Sequence, residues 1–217
     1  MRGTGVESVT VDAGGQRLPG LLGVPAEARG LVLFAHGSGS SRLSSRNNAV
    51  AAELRRARLG TLLFDLLTPD EAGDLTNVFN IDLLARRLSG AADWVRHDAG
   101  LGELPIGYFG ASTGAAAALV AAGNDRDVFA VVSRGGRPDL VGQTLAMVAS
   151  PTLLIVGQRD TEVLRLNRIA LDRLTCEKSL RLVPGATHLF EEPGTLNMVA
   201  ELAGEWFVSH VPSAASA

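Results

Sequence analysis

The sequence predicts an α/β fold with a mostly parallel, doubly wound sheet and helices on both of its faces. Short apolar runs such as "GLVLFAHG" and "PTLLIVG" are typical of strands that are buried on both faces. These runs alternate along the chain with helical patterns such as "IDLLARRLSGAADWVRH". We therefore expect eight strands (or seven) in one domain that spans residues 1–211.

The strands are predicted from apolar runs bounded by turn formers. Two opening strands, "ESVTVD" and "RLPGLLGVP", are expected to pair antiparallel at one edge of the sheet. The remaining strands are predicted, in chain order, at "GLVLFAHG", "TLLFDLL", "PIGYFG", "VFAVVSRGG", "PTLLIVG" and "SLRLVP". Most of them are joined by helical connections, which makes them parallel.

The helices are predicted between these strands. Their sequences are "NNAVAAELRRARLG", "IDLLARRLSGAADWVRH", "TGAAAALVAAG", the segment from Pro138 to Met147, "VLRLNRIALDRL" and "TLNMVAELAGEWFVSHV". Residues 67–80 predict a surface loop, so no lid domain is expected. Residues 212–217 are small and polar, which predicts a flexible tail.

Composition and charge exclude several classes of function. The net charge is -3 and the arginines are scattered, so nucleic acid is not an expected partner. No apolar run approaches the ~20 residues needed to cross a bilayer, and the first residues lack the apolar core of a signal peptide. The single cysteine, Cys176, excludes an internal disulfide and fits a cytoplasmic location. No metal site is predicted.

Ser112 is the candidate nucleophile. It lies in the pattern Gly110-x-Ser112-x-Gly114, between a predicted strand and a predicted helix. Small flanking residues relieve crowding at such a turn and leave the hydroxyl exposed at the carboxyl edge of the sheet. The motif alone is common by chance in a chain with 25 glycines. The alternative is a tight turn in which the serine only caps the helix.

His188 is the candidate base, because it follows the last strand in the turn-rich segment "VPGATHLFEEPG". His97 and His210 lie near the ends of helices, and His36 is a position suited to shaping a loop.

Asp160 is the candidate acid that orients the base, because it follows the penultimate strand. Glu162 is a fallback and Asp65 is a less favoured one. The order Ser112, Asp160, His188 is the chain order of α/β-hydrolases.

Two backbone amides are expected to bind the oxyanion of an acyl-transfer reaction. One is the N–H of Thr113, directly after the nucleophile. The second is expected in the loop "HGSGSSR", from Ser38 with Gly37 as the fallback. The alternative is that Gly37 and Gly39 only form a turn. A phosphate-binding loop is disfavoured, because no Gly-Lys-Ser/Thr follows.

The chain resembles the α/β-hydrolase superfamily and, within it, the small lidless dienelactone hydrolase family. The segments that carry the resemblance are "LVLFAHGSGSSR", "FGASTGAAAAL", "LLIVGQRD" and "GATHLFEEPG". The resemblance implies a soluble hydrolase without a cofactor, acting on ester or lactone bonds through Ser112, Asp160 and His188. The founding members use cysteine as the nucleophile, whereas serine stands there in this chain, which favours a serine carboxylesterase.

Four further residues are candidate substrate contacts. Gly37 lies in the glycine-rich loop, and Phe79 and Phe190 are expected to line an acyl pocket. One hypothesis is that Arg134 binds a substrate carboxylate, and the alternative is that it pairs with a local acid such as Asp139.

The resulting functional prediction is a serine hydrolase of small esters or lactones that works through an acyl-enzyme, as a monomer or homodimer. Acyl transfer or amide cleavage by the same triad is one alternative. A non-catalytic ligand-binding protein on a hydrolase scaffold is the other.

Overall fold

One eight-stranded sheet forms the centre of the protein, which a computed structural model describes for residues 5–213. The strands are β1 Val6–Asp12, β2 Arg17–Gly23, β3 Leu31–Ala35, β4 Gly60–Phe64, β5 Ile106–Ala111, β6 Val128–Arg134, β7 Thr152–Gly157 and β8 Lys178–Val183. Their spatial order is β1-β2-β4-β3-β5-β6-β7-β8. The pairs β1–β2 and β2–β4 are antiparallel and the other pairs are parallel, which confirms the predicted sheet and its antiparallel edge.

Helices cover both faces of this sheet, as predicted. They are α1 Ser45–Arg56, α2 Pro69–Ala72, α3 Leu75–Val78, α4 Ile81–His97, α5 Thr113–Asn124, α6 Thr161–Arg173 and α7 Thr195–His210. α4 and α5 pack together on one face, while α1 and α7 pack together on the other.

The five central strands, β3 to β7, are buried at every position. Because successive side chains point to opposite faces, each strand contributes to two cores. Tyr108 lies in the core beneath α4 and α5, whereas Phe109 lies beneath α1 and α7, with its ring centroid 4.8 Å from that of Phe34. Full burial of one such phenyl group contributes about 1.5–3 kcal/mol, so the continuous apolar runs fix these strands in the centre.

Two segments differ from the sequence prediction. The predicted loop at 67–80 contains the one-turn helices α2 and α3. Thr68 and Glu71 form a capping box at α2, and the Asp74 side chain caps α3. The helix predicted from Pro138 to Met147 is instead two 3₁₀ helices, because Gly142 at their junction has φ +67° and interrupts the right-handed helix.

The predicted tail at 212–217 falls, from residue 214 onward, outside the described residues. Within the described part of the chain, none of the helices is both long enough and apolar enough to cross a membrane.

α5 packs closely against the sheet. Almost all of its residues are buried, and half of its twelve residues are alanines. At Gly114 the approach is closest, since a Cβ added there would lie 2.2 Å from the carbonyl oxygen of Ala35. This contact sets the position of the N-terminus of α5 against the end of β3.

Gly114→Ala is therefore expected to destabilise the protein. The added methyl group meets backbone, which cannot move without displacing β3, and overpacking of this kind costs about 1–3 kcal/mol. The free energy of unfolding, measured by urea titration, should fall by this amount.

Gly204→Ala in α7 is the matched control. Its added Cβ meets only Leu54 Cδ2 at 3.8 Å, so the alanine should raise the free energy of unfolding by about 0.5–1 kcal/mol through helix propensity. Equal effects of the two substitutions would show that close packing at Gly114 is unimportant.

Candidate active site

Ser112 forms the turn between β5 and α5 with φ +52° and ψ −120°. A positive φ in a residue with a side chain costs about 1–3 kcal/mol and needs support from its surroundings. That support comes from the Ser112 N–H, which donates to Arg134 O at 3.1 Å, and from its carbonyl, which accepts the N–H of Ala115 and of Arg137. The side chain makes no capping hydrogen bond. The alternative that Ser112 only caps the helix is therefore wrong.

Gly110, at the start of the motif, also permits this turn. A Cβ at this position would lie 2.4 Å from Ala115 Cα, inside the first turn of α5. Together with Gly114, it lets the strand run directly into the helix, as the motif predicts.

His188 and Asp160 are brought together beyond the carboxyl ends of β7 and β8. The Nδ1–H of His188 donates to Asp160 Oδ2 at 2.6 Å. The side chain of His188 is 38% exposed and that of Asp160 is 14% exposed. Because the Nδ1–H is held by the carboxylate, the neutral ring keeps its lone pair on Nε2.

The imidazole lies over the end of β6. A Cβ built on Gly135 would be 3.5 Å from both Nδ1 and Cε1 of His188. Gly135 directly follows Arg134, whose carbonyl accepts the Ser112 N–H. The predicted nucleophile and the predicted base thus flank the same strand end.

Backbone and side-chain hydrogen bonds hold the His188 loop in place. The Arg159 N–H, next to Asp160, donates to Ala186 O at 2.9 Å. Thr187 donates its N–H and its hydroxyl to the Glu192 carboxylate, and these bonds lower the pKa of Glu192. The two residues that precede His188 are therefore both held in place.

The fallback acids have other partners. Glu162 is exposed and pairs with Arg165. Asp65 accepts the backbone N–H of Arg42 and forms an ion pair with its guanidinium. Neither carboxylate contacts His188.

The positions predicted for His97, His210 and Cys176 are confirmed. His97 and His210 lie in the last turns of α4 and α7. Cys176 precedes β8, at the edge opposite Ser112, where burial raises the pKa of its thiol. Within residues 5–213, no three His, Cys, Asp or Glu side chains are grouped so as to hold a metal ion.

The residues predicted to supply oxyanion donors lie on either side of Ser112. The Thr113 N–H lies at the first position of α5 and has no partner within the helix. The Ser38 N–H, however, donates to Thr113 Oγ1 at 2.9 Å. Gly37 adjoins the nucleophile instead, since a Cβ there would lie 3.1 Å from Ser112 Cβ. In this arrangement the Ser38 N–H is engaged by Thr113, and Gly37 lies directly beside Ser112.

His36 fixes the orientation of the loop that contains Gly37 and Ser38. The sequence predicted such a loop-shaping role for it. Its Nε2 accepts the Leu66 N–H at 3.0 Å, so its Nδ1–H donates to Gly37 O at 3.0 Å. The ring is neutral in this arrangement, and burial lowers the pKa of His36. The carbonyl of Gly37 is thereby held by His36, while the following N–H, that of Ser38, is held by Thr113.

A cavity of about 730 Å³ adjoins this loop. Gly37 and Ser38 form one wall, and apolar side chains including Phe79 form much of the rest. Phe79 thus lines a pocket as predicted. The prediction for Phe190 is corrected, because its ring is 2% exposed and belongs to the core on the α1 and α7 face.

Arg134 does not pair with Asp139, which corrects that alternative. Asp139 forms a two-bond ion pair with Arg137 instead. Arg134 is buried at the end of β6.

Similar solved structures share the fold along nearly the whole chain. A dienelactone hydrolase from Anabaena variabilis is 52% identical with a TM-score of 0.92, covering 96% of this chain and 99% of that chain. Est1E from Butyrivibrio proteoclasticus has a TM-score of 0.80 at 17% identity, covering 94% of this chain and 98% of that one. The esterase domain of a Rhodothermus marinus protein has a TM-score of 0.77 at 19% identity, covering 96% and 100%. The last two share the fold alone.

Two curated proteins from Mycobacterium tuberculosis strains are 57% identical over 206 residues, which is 94% of this chain. Each is named "Putative phosphoribosyl transferase". The chain spans 46% of the length of these relatives, so their name describes proteins about twice as long. No protein-family model matches the chain.

The burial of neutral His36 predicts a loss of stability in acid. Because its pKa is lowered in the folded state, folding is favoured above the unfolded pKa of about 6.5, and this contribution is lost as the pH falls from there towards the folded pKa. Urea unfolding of the wild-type protein between pH 8 and pH 5 should show this decline.

His36→Gln removes the titrating group and should flatten that decline, whereas His97→Gln, at the end of α4, should leave it unchanged. An identical pH dependence in wild type and His36→Gln would contradict the assignment.

Proposed function

The chain belongs to the dienelactone hydrolase family of the α/β-hydrolase fold, and from this membership we propose that it cleaves small carboxylic esters or lactones through Ser112, His188 and Asp160. The observation that carries the proposal is the 2.6 Å hydrogen bond between His188 Nδ1 and Asp160 Oδ2, over the strand end that also binds the Ser112 amide. A serine hydroxyl needs a base oriented in this way to become a nucleophile at neutral pH.

In the acylation step, His188 Nε2 takes the proton of the Ser112 hydroxyl as the oxygen attacks the acyl carbonyl. Asp160 stabilises the imidazolium that forms. The N–H groups of Thr113 and Gly37 bind the oxyanion, and one such donor lowers the barrier by about 3 kcal/mol. His188 then gives its proton to the departing alkoxide, and an acyl-enzyme remains.

In the deacylation step, His188 removes a proton from water, which attacks the acyl carbonyl of the Ser112 ester. The same two amides bind the second oxyanion. The carboxylic acid leaves when Ser112 recovers its proton from His188, so the three side chains return to their starting state.

The cavity beside Gly37 supports a compact substrate with an apolar part. Its volume of about 730 Å³ lies within the range of about 300–1,000 Å³ that is usual for small-molecule sites. Phe79 and the apolar side chains of α2 and α3 would contact that part of the substrate.

The name of the mycobacterial relatives does not change this proposal. This chain matches less than half of their length. Ser112, His188 and Asp160 are the residue types that hydrolysis through an acyl-enzyme requires. We therefore propose only ester or lactone hydrolysis for this chain.

Ser112→Ala is expected to lower kcat for p-nitrophenyl butyrate by at least ~10⁴-fold, because the other groups have no nucleophile to activate. A fluorophosphonate should label wild-type protein at Ser112, as read by peptide mass spectrometry, and should not label the variant.

Ser209→Ala, at the end of α7, is the matched control and should retain wild-type turnover. Wild-type protein that neither turns over the ester nor accepts the label would refute the proposed function.

Thr113→Val tests the support of the oxyanion loop. It keeps the shape of the side chain but removes the oxygen that accepts the Ser38 N–H. An unsatisfied buried donor costs about 1–3 kcal/mol, so the loop should reorient, and kcat should fall about tenfold with little change in KM.

Thr113→Ser retains the acceptor oxygen and should restore most of kcat. If Thr113→Val turns over the ester as fast as wild type, this hydrogen bond does not position the loop.

A further inference from the structure

Asn167 is a fully buried amide on α6, the helix that begins directly after Asp160. Its Nδ2 donates to Gly136 O at 3.0 Å and to Val163 O, one turn earlier in the same helix, at 2.8 Å. Because both acceptors are carbonyls, only the NH₂ end of the amide can face them. Asn167 therefore joins α6 to the segment 135–137, which follows β6.

This amide does not favour stability. Asparagine is a weak helix former in the interior of a helix, and Oδ1 of Asn167 is buried without a hydrogen-bond partner within residues 5–213. Such an unsatisfied group costs free energy, whereas a leucine of similar volume would fill the position without that cost. Local conflicts of this kind are tolerated chiefly where function requires them. The bond to Gly136 is therefore the feature that calls for a functional reason.

The peptide group between Gly136 and Arg137 connects Asn167 to the proposed nucleophile. Its carbonyl accepts the Asn167 hydrogen bond, and its N–H donates to Ser112 O at 3.2 Å. A trans peptide group is planar and its C=O and N–H point in opposite directions, so a bond that fixes the C=O also fixes the N–H. Asn167 thus orients a hydrogen bond to the residue that has φ +52°.

The segment 135–137 is closely packed on the sheet and on α5. A Cβ added at Gly136 would lie 2.0 Å from Ser133 Oγ and 2.7 Å from Ala115 Cβ. The preceding residue, Gly135, lies against the His188 ring. The segment therefore contacts both the proposed base and, through its N–H, the turn that carries the proposed nucleophile.

We propose that Asn167 is a positioning residue, which holds Ser112 in the correct place relative to the Asp160–His188 pair. Asp160 directly precedes α6, so a shift of this helix would displace the carboxylate. Two turns later the same helix is bonded, through Asn167, to the segment that supports Ser112. Asn167 itself contacts none of the reacting atoms. This inference rests on the proposed function, because it assigns a further residue to the same reaction.

Asn167→Leu is the first variant of the experiment. It keeps the approximate volume of the side chain and removes the bond to Gly136 O. The kcat for p-nitrophenyl butyrate should fall about tenfold or more, since a displacement of ~1 Å in a reacting group can cost ~100-fold. KM should change little, because none of the residues that line the cavity beside Gly37 lies on α6 or in the segment 135–137. Labelling of Ser112 by a fluorophosphonate should also slow, because the same hydroxyl attacks phosphorus.

Asn167→Gln separates positioning from stability. It retains an amide donor for Gly136 O and should recover part of kcat, although its additional methylene overpacks the core and lowers Tm. Asn167→Leu should melt closer to wild type, because it removes the unsatisfied Oδ1. Positioning thus predicts that the variant with the lower Tm has the higher kcat, whereas for a merely structural asparagine kcat would follow Tm.

Ala170→Gly is the matched control. Ala170 is the next buried position of α6 and has no hydrogen-bonding side chain. The glycine should lower Tm through its poor helix propensity and leave kcat unchanged. If Asn167→Leu does not fold, Asn167→Ser takes its place, because a serine hydroxyl bonds the carbonyl of Val163 in its own helix and the bond to Gly136 is lost.

Hydrogen exchange of the Arg137 amide tests the same link without turnover. This N–H is the donor to Ser112 O. Its exchange, followed by NMR, should become about tenfold faster in Asn167→Leu, because the peptide group is no longer held at its carbonyl. In Ala170→Gly it should keep the wild-type rate.

The outcomes separate the two proposals. Wild-type protein that neither turns over the ester nor accepts the label at Ser112 would refute the hydrolase, and the exchange of Arg137 would still decide whether Asn167 orients the peptide. Wild-type kcat in Asn167→Leu, a kcat that follows Tm through all the variants, or unchanged exchange of Arg137 in Asn167→Leu would overturn the positioning role alone.

Discussion

The close contact between α5 and the sheet is the constraint on which the site depends. Glycines at 110 and 114 let the strand turn into the helix within one residue, and that residue, Ser112, is left with φ +52°. The local cost of about 1–3 kcal/mol is modest beside the burial of nearly the whole of α5. The same packing places Thr113 at the first position of α5, so the partial positive charge of the helix N-terminus lies next to Ser112.

The two sides of Ser112 differ in chemistry. On one side, neutral His36 and the Thr113 hydroxyl hold the loop of Gly37 and Ser38 against an apolar cavity. On the other side, at the end of β6, Nη1 of the buried Arg134 side chain has no hydrogen-bond partner within residues 5–213.

The sequence could predict those features that local pattern determines. Apolar runs identify the five central strands, because strands buried on both faces have few polar residues. The positions of Ser112, Asp160 and His188 after strands place them at one edge of the sheet. The sequence could not decide whether Gly37 or Ser38 donates to the oxyanion, because this depends on the orientation of the loop. That orientation is set by Leu66, through His36, and by Thr113, both of which lie far from the loop in sequence. The capping box at Thr68 was readable in the sequence, but a four-residue helix has too little periodicity to be recognised.

Arg134 illustrates why proximity in sequence is a poor guide to ion pairing. Asp139 is the acid nearest to it along the chain, yet Arg137 reaches that carboxylate with two hydrogen bonds. Arg134 ends a strand whose alternate residues face the α1 and α7 core, so its side chain enters that core instead. Proteins tolerate such local conflicts chiefly where function requires them. Ser112, with its positive φ, and Arg134, with its buried charge, both lie at the carboxyl edge of the sheet, where the proposed reaction takes place.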